Sequence, residues 1–509
     1  MLGKVTSFGL SGIAGCAIQI EVDVSGGLPS YETVGLPDAA VRESKERVRA
    51  AITNSSLPYR FGKVTVNLAP AGMKKVGSVY DLPIALALLI CSGVITQEQV
   101  DKYAVVGELA LGGDVRPVMG MLPMTMAAFE LGYKNIIVPF DNASEAAYVS
   151  GIDVFPVRTL NEAVDLICCS TEIKPYVVKA WKPELAKSAV DFSDIKGQQG
   201  AKRAAEIAAA GGHNILLIGA PGAGKTMIAK ALPSILPRLT FEEALEITKI
   251  HSVAVGVDYS SGIVTQRPFR SPHHTASAAS LVGGGSNAVP GEVSLAHLGV
   301  LFLDEFTEFD KRVIETLRQP IEDGVISVAR VNAKAEYPAK IMLVAAMNPC
   351  PCGYFGSRTR QCTCSQPTIQ KYLNRISGPM LDRIDLHVEM SEVAYEDLRS
   401  DAKTETSAEI QKRVERARRF QAKRYADEQR IRCNAQLEQK HLKKYCVLDD
   451  VCSKLLGKAM KACNLTPRAY ARILKVARTI ADLECEENIK PQHVAEAIQY
   501  RSIITKYWR

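Results

Sequence analysis

The chain has 509 residues, room for about three domains of ~150 residues, each with its own core. Charged residues make up 23% and the hydrophobic set 47%, which excludes a largely disordered or fibrous chain. Lys and Arg outnumber Asp and Glu by 62 to 55, a net +7 that permits a local basic surface without requiring a nucleic-acid partner. No run approaches the ~18 uninterrupted apolar residues of a membrane helix, so no membrane partner is expected.

In chain order, residues 1–170 read as mixed strand and helix. Val64-Thr65-Val66-Asn67-Leu68 and Asn135-Ile136-Ile137-Val138 are β-branched runs, and Leu82 to Ser92 is helical. Lys4 and the stretch Phe8 to Cys16 have the look of a lipoprotein signal. The apolar stretch is short and broken, however, and Glu21 and Asp23 follow in strand-like alternation, so the expectation is a cytoplasmic folded segment. The 13 cysteines are then reduced thiols, structural or metal-bound. Residues 171–192, with Pro175 and Pro183, read as a linker. Residues 193–392 contain apolar runs at 215–218, 300–303 and 341–346 that suit strands buried on both faces of a parallel sheet. Residues 393–509 read as helical throughout.

Gly219-Ala220-Pro221-Gly222-Ala223-Gly224-Lys225-Thr226 follows the run at 215–218 and opens an Ala-rich helical stretch. This is the G-x-x-x-x-G-K-T pattern in its strand–loop–helix context. Its glycines let backbone N–H groups form an anion nest. Lys225 is expected on the β- and γ-phosphates and the Thr226 hydroxyl on Mg²⁺. The strand Val300 to Leu303 ends in Asp304 and Glu305, placing Asp304 on the metal and Glu305 as general base for the attacking water. A third run ends in Asn348, whose amide can orient that water. Together these predict ATP hydrolysis. Arg383 is the first choice for the arginine that a neighbouring subunit supplies, with Arg375 as fallback, and Arg468 could contact the γ-phosphate of its own chain.

The loop, the Leu-Asp-Glu strand, Asn348 and the Arg-bearing helical tail resemble an AAA+ ATPase. Arg267 to Thr275 (R-P-F-R-S-P-H-H-T), Pro290 to Gly299 and Met347 to Gly353 are narrower, and resemble the magnesium-chelatase-like YifB/ComM family along essentially the whole chain. That resemblance implies a homo-oligomeric ring, expected to be hexameric, with Arg383 acting across subunits. It also implies a helicase that promotes branch migration during natural transformation, acting on single-stranded or branched DNA without sequence specificity. Two rivals remain open: a chelatase-like ATPase that remodels a protein, and a DNA-structure scaffold that only assembles with ATP.

Cys350-Pro351-Cys352 and Cys362-Thr363-Cys364 are two C-x-C pairs that can close a tetrahedral structural Zn²⁺ site with no open position for catalysis. His273 and His274 lie in a Pro/Ser-rich segment without metal-ligand spacing. Residues 324–338 alternate around a polar tip and predict a β-hairpin. In related AAA+ rings this insert, and the segment around Arg270 to Ser286, points into the pore, which makes Arg330 and Lys334 DNA-backbone candidates. Glu409 to Arg432 carries nine basic residues against four acidic ones, with Arg416 and Arg419 as further candidates. Pro70 to Ala85 and Val106 to Val115 resemble the proteolytic domain of Lon-type proteases. Yet Val79 and Tyr80 stand where the nucleophilic Ser is expected and Pro123 where the Lys is, with Ser78 and Lys74 out of place, so proteolysis is not expected. The expected fold class is α/β: an inactive Lon-like α+β domain, an AAA+ core with a parallel sheet, and a helical lid.

Overall fold

A computed structural model describes residues 2–59, 62–184, 190–254, 262–284, 289–330, 333–357, 360–392, 404–428, 431–463 and 465–508, with side chains except at 329, 330, 333 and 334. The chain forms two compact units. One comprises Met1–Lys182, Phe241–Thr265 and Ala329–Tyr337; the other comprises Pro183–Thr240, Gln266–Val328 and Pro338–Arg509.

The leading unit is α+β. Strands β1 (Leu2–Ser11) and β2 (Ala14–Ser25) form a hairpin in register from Leu2↔Asp23 to Ser11↔Ala14. The signal-like stretch up to Cys16 is therefore part of this hairpin. Strand β3 (Ser30–Val34) runs parallel to β4 (Lys63–Ala69), which pairs antiparallel with β2, giving the order β1-β2-β4-β3. Alternation along β2 buries Ile18, Ile20 and Val22 on one face. Helix α1 (Ala39–Asn54) and helix α2 (Asp81–Ser92) pack with that face, and α2 is buried from Asp81 to Cys91. Strands β5 (Tyr103–Val105), β6 (Asn135–Pro139) and β7 (Asp153–Val157) form a small parallel sheet beside helix α3 (Met121–Glu130). The helix Phe241–Ala254 lies within the 193–392 stretch, yet it belongs to this unit. The Ser252 carbonyl accepts from the Gly120 amide at 3.0 Å, and the buried Glu145 carboxylate takes the Leu122 amide at 2.9 Å.

The second unit is built on five parallel strands: β8 (Ile215–Gly219), β9 (Phe269–Arg270), β10 (Val300–Leu303), β13 (Met342–Met347) and β14 (Leu386–Met390), in the order β9-β10-β13-β8-β14. Between β10 and β13 the chain makes the expected hairpin, β11 (Val325–Arg330) with β12 (Ala333–Pro338). Every residue of β8, β10 and β13 is buried, as their uninterrupted apolar runs require of a sheet covered on both faces. Helix α4 (Gln199–Gly211) and the tail helices α6 (Ser407–Arg424), α7 (Pro467–Leu483) and α8 (Pro491–Tyr507) share the core, with Ala204 and Ala208 packed with Ile473, Ala477 and Ile480. Helix α5 (Lys225–Ala231) leads away from β8. Among the described residues, no helix is long and apolar enough to cross a membrane.

The sheet's N-terminal edge is held by buried polar groups. The Asn214 side chain donates to the Arg383 carbonyl at 3.1 Å and accepts from the Leu343 amide at 2.8 Å, while its backbone N–H donates to Asp385 at 3.1 Å. Asp385 also takes the Arg472 guanidinium at 2.7 Å and lies 3.4 Å from His213. Burial opposes its charge, but Arg472 and His213 outweigh that and hold its carboxyl well below the usual range. Burial holds the imidazoles of His213 and His387 below theirs, and Arg501 adds to the effect at His387.

A histidine kept neutral in the fold but protonated in the unfolded chain stabilises only above its unfolded pKa, about 6.5. Stability should therefore fall as pH drops below about 6.5, by up to about 1.4 kcal/mol per pH unit for each histidine. Thermal unfolding across pH 5–8 should show a midpoint that is level above 7 and falls below 6.5. His387→Leu should flatten that slope, and an unchanged slope would remove His387 from the account.

Candidate active site

Strand β8 delivers the chain into a tight loop in which Gly222 and Gly224 adopt φ of 79° and 88°, conformations that a side chain would strain. Lys225 then opens α5. Its Nζ donates to the Gly219 and Ala220 carbonyls at 2.7 and 2.9 Å and to Asn348 Oδ1 at 3.0 Å. Thr226 Oγ1 donates to Asp304 Oδ2 at 2.9 Å. The loop lysine, the hydroxyl, the strand-end acid and the amide therefore meet at the carboxyl ends of three adjacent strands, where a parallel sheet places its ligands. Burial lowers the Lys225 pKa to about 8, against the pull of Asp304. Gln198, which the sequence reading passed over, braces the loop by donating to the Ala223 carbonyl at 3.0 Å.

Glu305 sits in a left-handed conformation, φ 51°, with its side chain 58% exposed. One carboxylate oxygen lies 3.2 Å from His274 Nδ1. Sequence reading assigned His274 no role, but the sheet register does. Phe269 pairs with Val300 and Arg270 with Leu301, so the segment that leaves this short strand runs beside the end of β10, where His274 meets Glu305. His274 stacks with His273, their ring centroids 4.1 Å apart. Arg270 is clamped to Glu292 at 2.6 and 2.8 Å.

The arginines stand elsewhere. Arg383 is buried; its guanidinium donates to the Arg318 and Pro379 carbonyls at 3.0 and 2.9 Å and to the Glu322 carboxylate. Arg468, expected near the γ-phosphate of its own chain, reaches the same Glu322 at 4.0 Å and is 61% exposed. Both line a groove of about 160 Å³ with Arg472, Lys475, Glu322 and Asp382. The groove adjoins the sheet edge marked by Asn214. A five-residue strand, about 16 Å at ~3.3 Å per residue, separates that edge from the phosphate loop. Arg375 is half exposed and donates to the Thr307 carbonyl and Glu308 at 2.9 and 3.0 Å, just beyond Glu305.

The four cysteines come together. Cys350 and Cys352 Sγ are 3.3 Å apart, Cys350 and Cys362 3.7 Å, and Cys352 and Cys362 3.5 Å, and with Cys364 all four lie within 4.8 Å of one another. A tetrahedral Zn–S₄ centre with bonds of about 2.3 Å spaces its sulfurs about 3.8 Å apart, so the donor set and spacing fit zinc. Amide N–H groups of Phe355 and Cys364 donate to Cys350 and Cys362 at 3.3 and 3.4 Å. At Cys352 desolvation is overcome by hydrogen bonds from the backbone at Tyr354 and Thr363, which lower the thiol, whereas desolvation and the neighbouring sulfurs raise Cys362.

The basic run proves partly structural. Arg413 is bound by Glu206 and Glu405 at 2.5 and 2.8 Å, Arg418 donates to the Ala209 carbonyl at 3.0 Å, and Arg424 pairs with Asp482 at 2.6 Å. Arg416 touches the Leu483 carbonyl at 3.3 Å and is otherwise exposed. Arg419 is 79% exposed, with Glu415 at 4.0 Å, and Lys412 and Lys423 are also exposed. Arg330 lies in β11 and Lys334 in β12, but their side chains, like all of Arg430, lie outside the described residues. In the leading unit Ser78 Oγ donates to the Glu108 carboxylate, Lys74 is exposed, and Pro123 is buried in α3.

Comparison with known proteins agrees with this arrangement. Family models described as subunit ChlI of Mg-chelatase, magnesium chelatase subunit ChlI, and magnesium chelatase subunit ChlI C-terminal match residues 20–142, 191–398 and 404–501. The YifB protein of Salmonella typhimurium is 44% identical over 495 residues, 97% of this chain and 95% of the relative. The competence protein ComM of Haemophilus influenzae is 41% identical over 509 residues, 99% and 98% of the two chains. The leading part also resembles Lon protease 2 of Bacillus subtilis, 26% identical over 185 residues, 33% of each chain.

With Lys225 at about 8, the free loop loses its positive charge as pH rises, and phosphate binding must raise that pKa. ATP affinity should fall above pH 8, approaching about tenfold per pH unit. Titration with a fluorescent ATP analogue at pH 7–9.5 measures this. Lys225→Ala should bind weakly at every pH with no slope; a wild-type affinity that is level across the range would refute the assignment.

Proposed function

The chain belongs to the YifB/ComM family of magnesium-chelatase-like AAA+ ATPases, and from that premise we propose that it is a ring motor that hydrolyses ATP to move along or remodel branched DNA. The observation that carries the reading is the meeting of two hydrogen-bonded pairs, Lys225 with Asn348 and Thr226 with Asp304, beside Glu305. The loop amides and Lys225 hold the β- and γ-phosphates, while Thr226 and Asp304 hold Mg²⁺. Glu305 takes a proton from the attacking water that Asn348 orients. His274 holds the Glu305 carboxylate between turnovers.

Arg383 and Arg468 serve the nucleotide of a neighbouring subunit in a ring, hexameric by family likeness. Their support is the strand's length that separates them from the loop of their own chain. Zinc on Cys350, Cys352, Cys362 and Cys364 is a structural ion. Arg416 and Arg419, with Lys412 and Lys423, offer sequence-independent phosphate contacts, and Arg330 and Lys334 extend them at the hairpin. The relative named competence protein ComM suggests a role in handling incoming DNA during natural transformation, in the cytoplasm. The ChlI models spanning the motor and tail favour a second reading, an ATPase that remodels a protein partner.

ATPase rates with and without single-stranded and forked DNA separate the two. A several-fold stimulation that fades with added salt supports the DNA motor; indifference to DNA favours the protein partner. Glu305→Gln should bind ATP and DNA but lose about 10²–10⁴-fold in hydrolysis and all unwinding, whereas a scaffold would keep its activity. Lys225→Ala and Arg383→Ala should each be inactive alone. Mixed together they should regain part of the rate, because some Arg383→Ala loops then meet an intact Arg383 next door. No recovery on mixing would place Arg383 in its own chain's site or outside catalysis.

A further inference from the structure

The cysteine loop lies against the phosphate loop. Gly353, next after Cys352, holds φ at 85°, and a Cβ there would come within 2.5 Å of Pro221 Cδ and 2.8 Å of Cγ. The Gly353 backbone thus lies against the Pro221 ring, with Pro221 the third residue of the glycine-rich loop. On the other side, Cys350 follows Asn348 by two residues, and Asn348 Oδ1 accepts from Lys225. Two groups that face the nucleotide are therefore fixed from one turn, closed by the Gly353 amide on the Cys350 carbonyl at 2.9 Å.

Ordinary packing holds part of that turn in place. Cys350 is buried, the Phe355 ring edges onto Tyr507 at 6.2 Å, and Ser357 donates to Glu392 at 2.9 Å. Otherwise the segment between the cysteine pairs is short and polar, with Arg360 laid over Tyr354 at the surface. Four sulfurs within 4.8 Å of one another converge on a single point, and an ion there ties both ends of the segment together. An ion at that point sets where Gly353 presses and where the chain leaves Asn348.

We propose that the metal-closed cysteine loop is a clamp on the nucleotide site: its ion holds Pro221 and Asn348 in position, so metal occupancy sets ATP affinity and turnover. This rests on the zinc reading above. Gly353 and the four cysteines act as positioning residues through Pro221 and Asn348, where a displacement of about 1 Å is enough to cost on the order of 10²-fold in rate.

The test uses the full chain. Bound metal is measured first. The protein is then stripped with a chelator, desalted into Mg²⁺, and titrated with a fluorescent ATP analogue before and after one equivalent of Zn²⁺. Nucleotide affinity should fall at least about tenfold on stripping and return with Zn²⁺, while far-UV circular dichroism stays constant. Cobalt in place of zinc should give thiolate-to-metal absorption bands that shift when ATP is added, a signal that a remote structural ion would not show.

A second measurement isolates the contact. Gly353→Ala should weaken nucleotide binding at unchanged metal content. Adding Pro221→Ala, which removes Cγ and Cδ, should recover part of the loss, so the pair is non-additive. A protein that binds no metal overturns the zinc reading and the metal dependence with it. Bound metal whose removal leaves ATP affinity unchanged, or additive effects at 221 and 353, overturns the clamp and leaves zinc standing.

Discussion

Asn214 holds the nucleotide-binding unit together. It precedes the central strand β8, and its side chain and backbone join that strand to both neighbours: the Leu343 amide on one side, Asp385 and the Arg383 carbonyl on the other. Satisfying a buried amide this completely fixes register, because a slip of one residue would leave polar atoms unpaired at a cost of about 1–3 kcal/mol each. Register in turn decides chemistry. With β8, β10 and β13 locked in step, the ends of the three strands bring Lys225, Asp304 and Asn348 into hydrogen-bonding distance without any long-range adjustment.

The same anchor marks one of two clusters of polar groups at opposite ends of the strands. Lys225, Thr226, Asp304 and Asn348 sit at the carboxyl ends, and the cationic groove of Arg383, Arg468, Arg472 and Lys475 sits at the amino ends. Asp385 ties that groove to the tail helix α7 through Arg472, and Glu322 neutralises part of its charge. In the proposed ring, one subunit's groove completes the next subunit's loop. Hydrolysis then reports on contact between neighbours, and the buried pair Asp385–Arg472 ties α7 to the turn that carries Arg383, just before β14.

What was legible in the sequence follows from how local each signal is. The phosphate loop, the acid-ended strand and the cysteine pairs are spelled within a few residues, so their types and boundaries could be read directly. Apolar runs at 215–218, 300–303 and 341–346 disclosed the parallel sheet, since strands buried on both faces cannot alternate. The two-residue strand Phe269–Arg270 is too short to show periodicity, and with it His274 opposite Glu305 was hidden. Charge along α6 was visible, but its partition was not. Glu206, Ala209 and Asp482, distant in sequence, claim Arg413, Arg418 and Arg424 and leave Lys412, Arg419 and Lys423 outward. The helix Phe241–Ala254 joins the leading unit through Glu145 and Gly120, contacts no local pattern announces.

The leading unit resembles Lon protease but carries other side chains at the expected Ser and Lys positions. Where Lon-type proteases present a serine, this chain has Val79 and Tyr80, and Tyr80 is buried at the start of α2. The helix behind it is apolar from Leu82 to Cys91, so the position serves packing. Pro123 replaces the lysine inside α3, where no amine can be offered, and Ser78 spends its proton on Glu108, an acceptor that cannot serve a Ser–Lys pair as its amine base. Arg47 closes on the buried Asp81 at 2.7 and 3.1 Å, filling with an ion pair the polar space beside the old nucleophile position. The unit's retained features are its strands and the helix face that buries them.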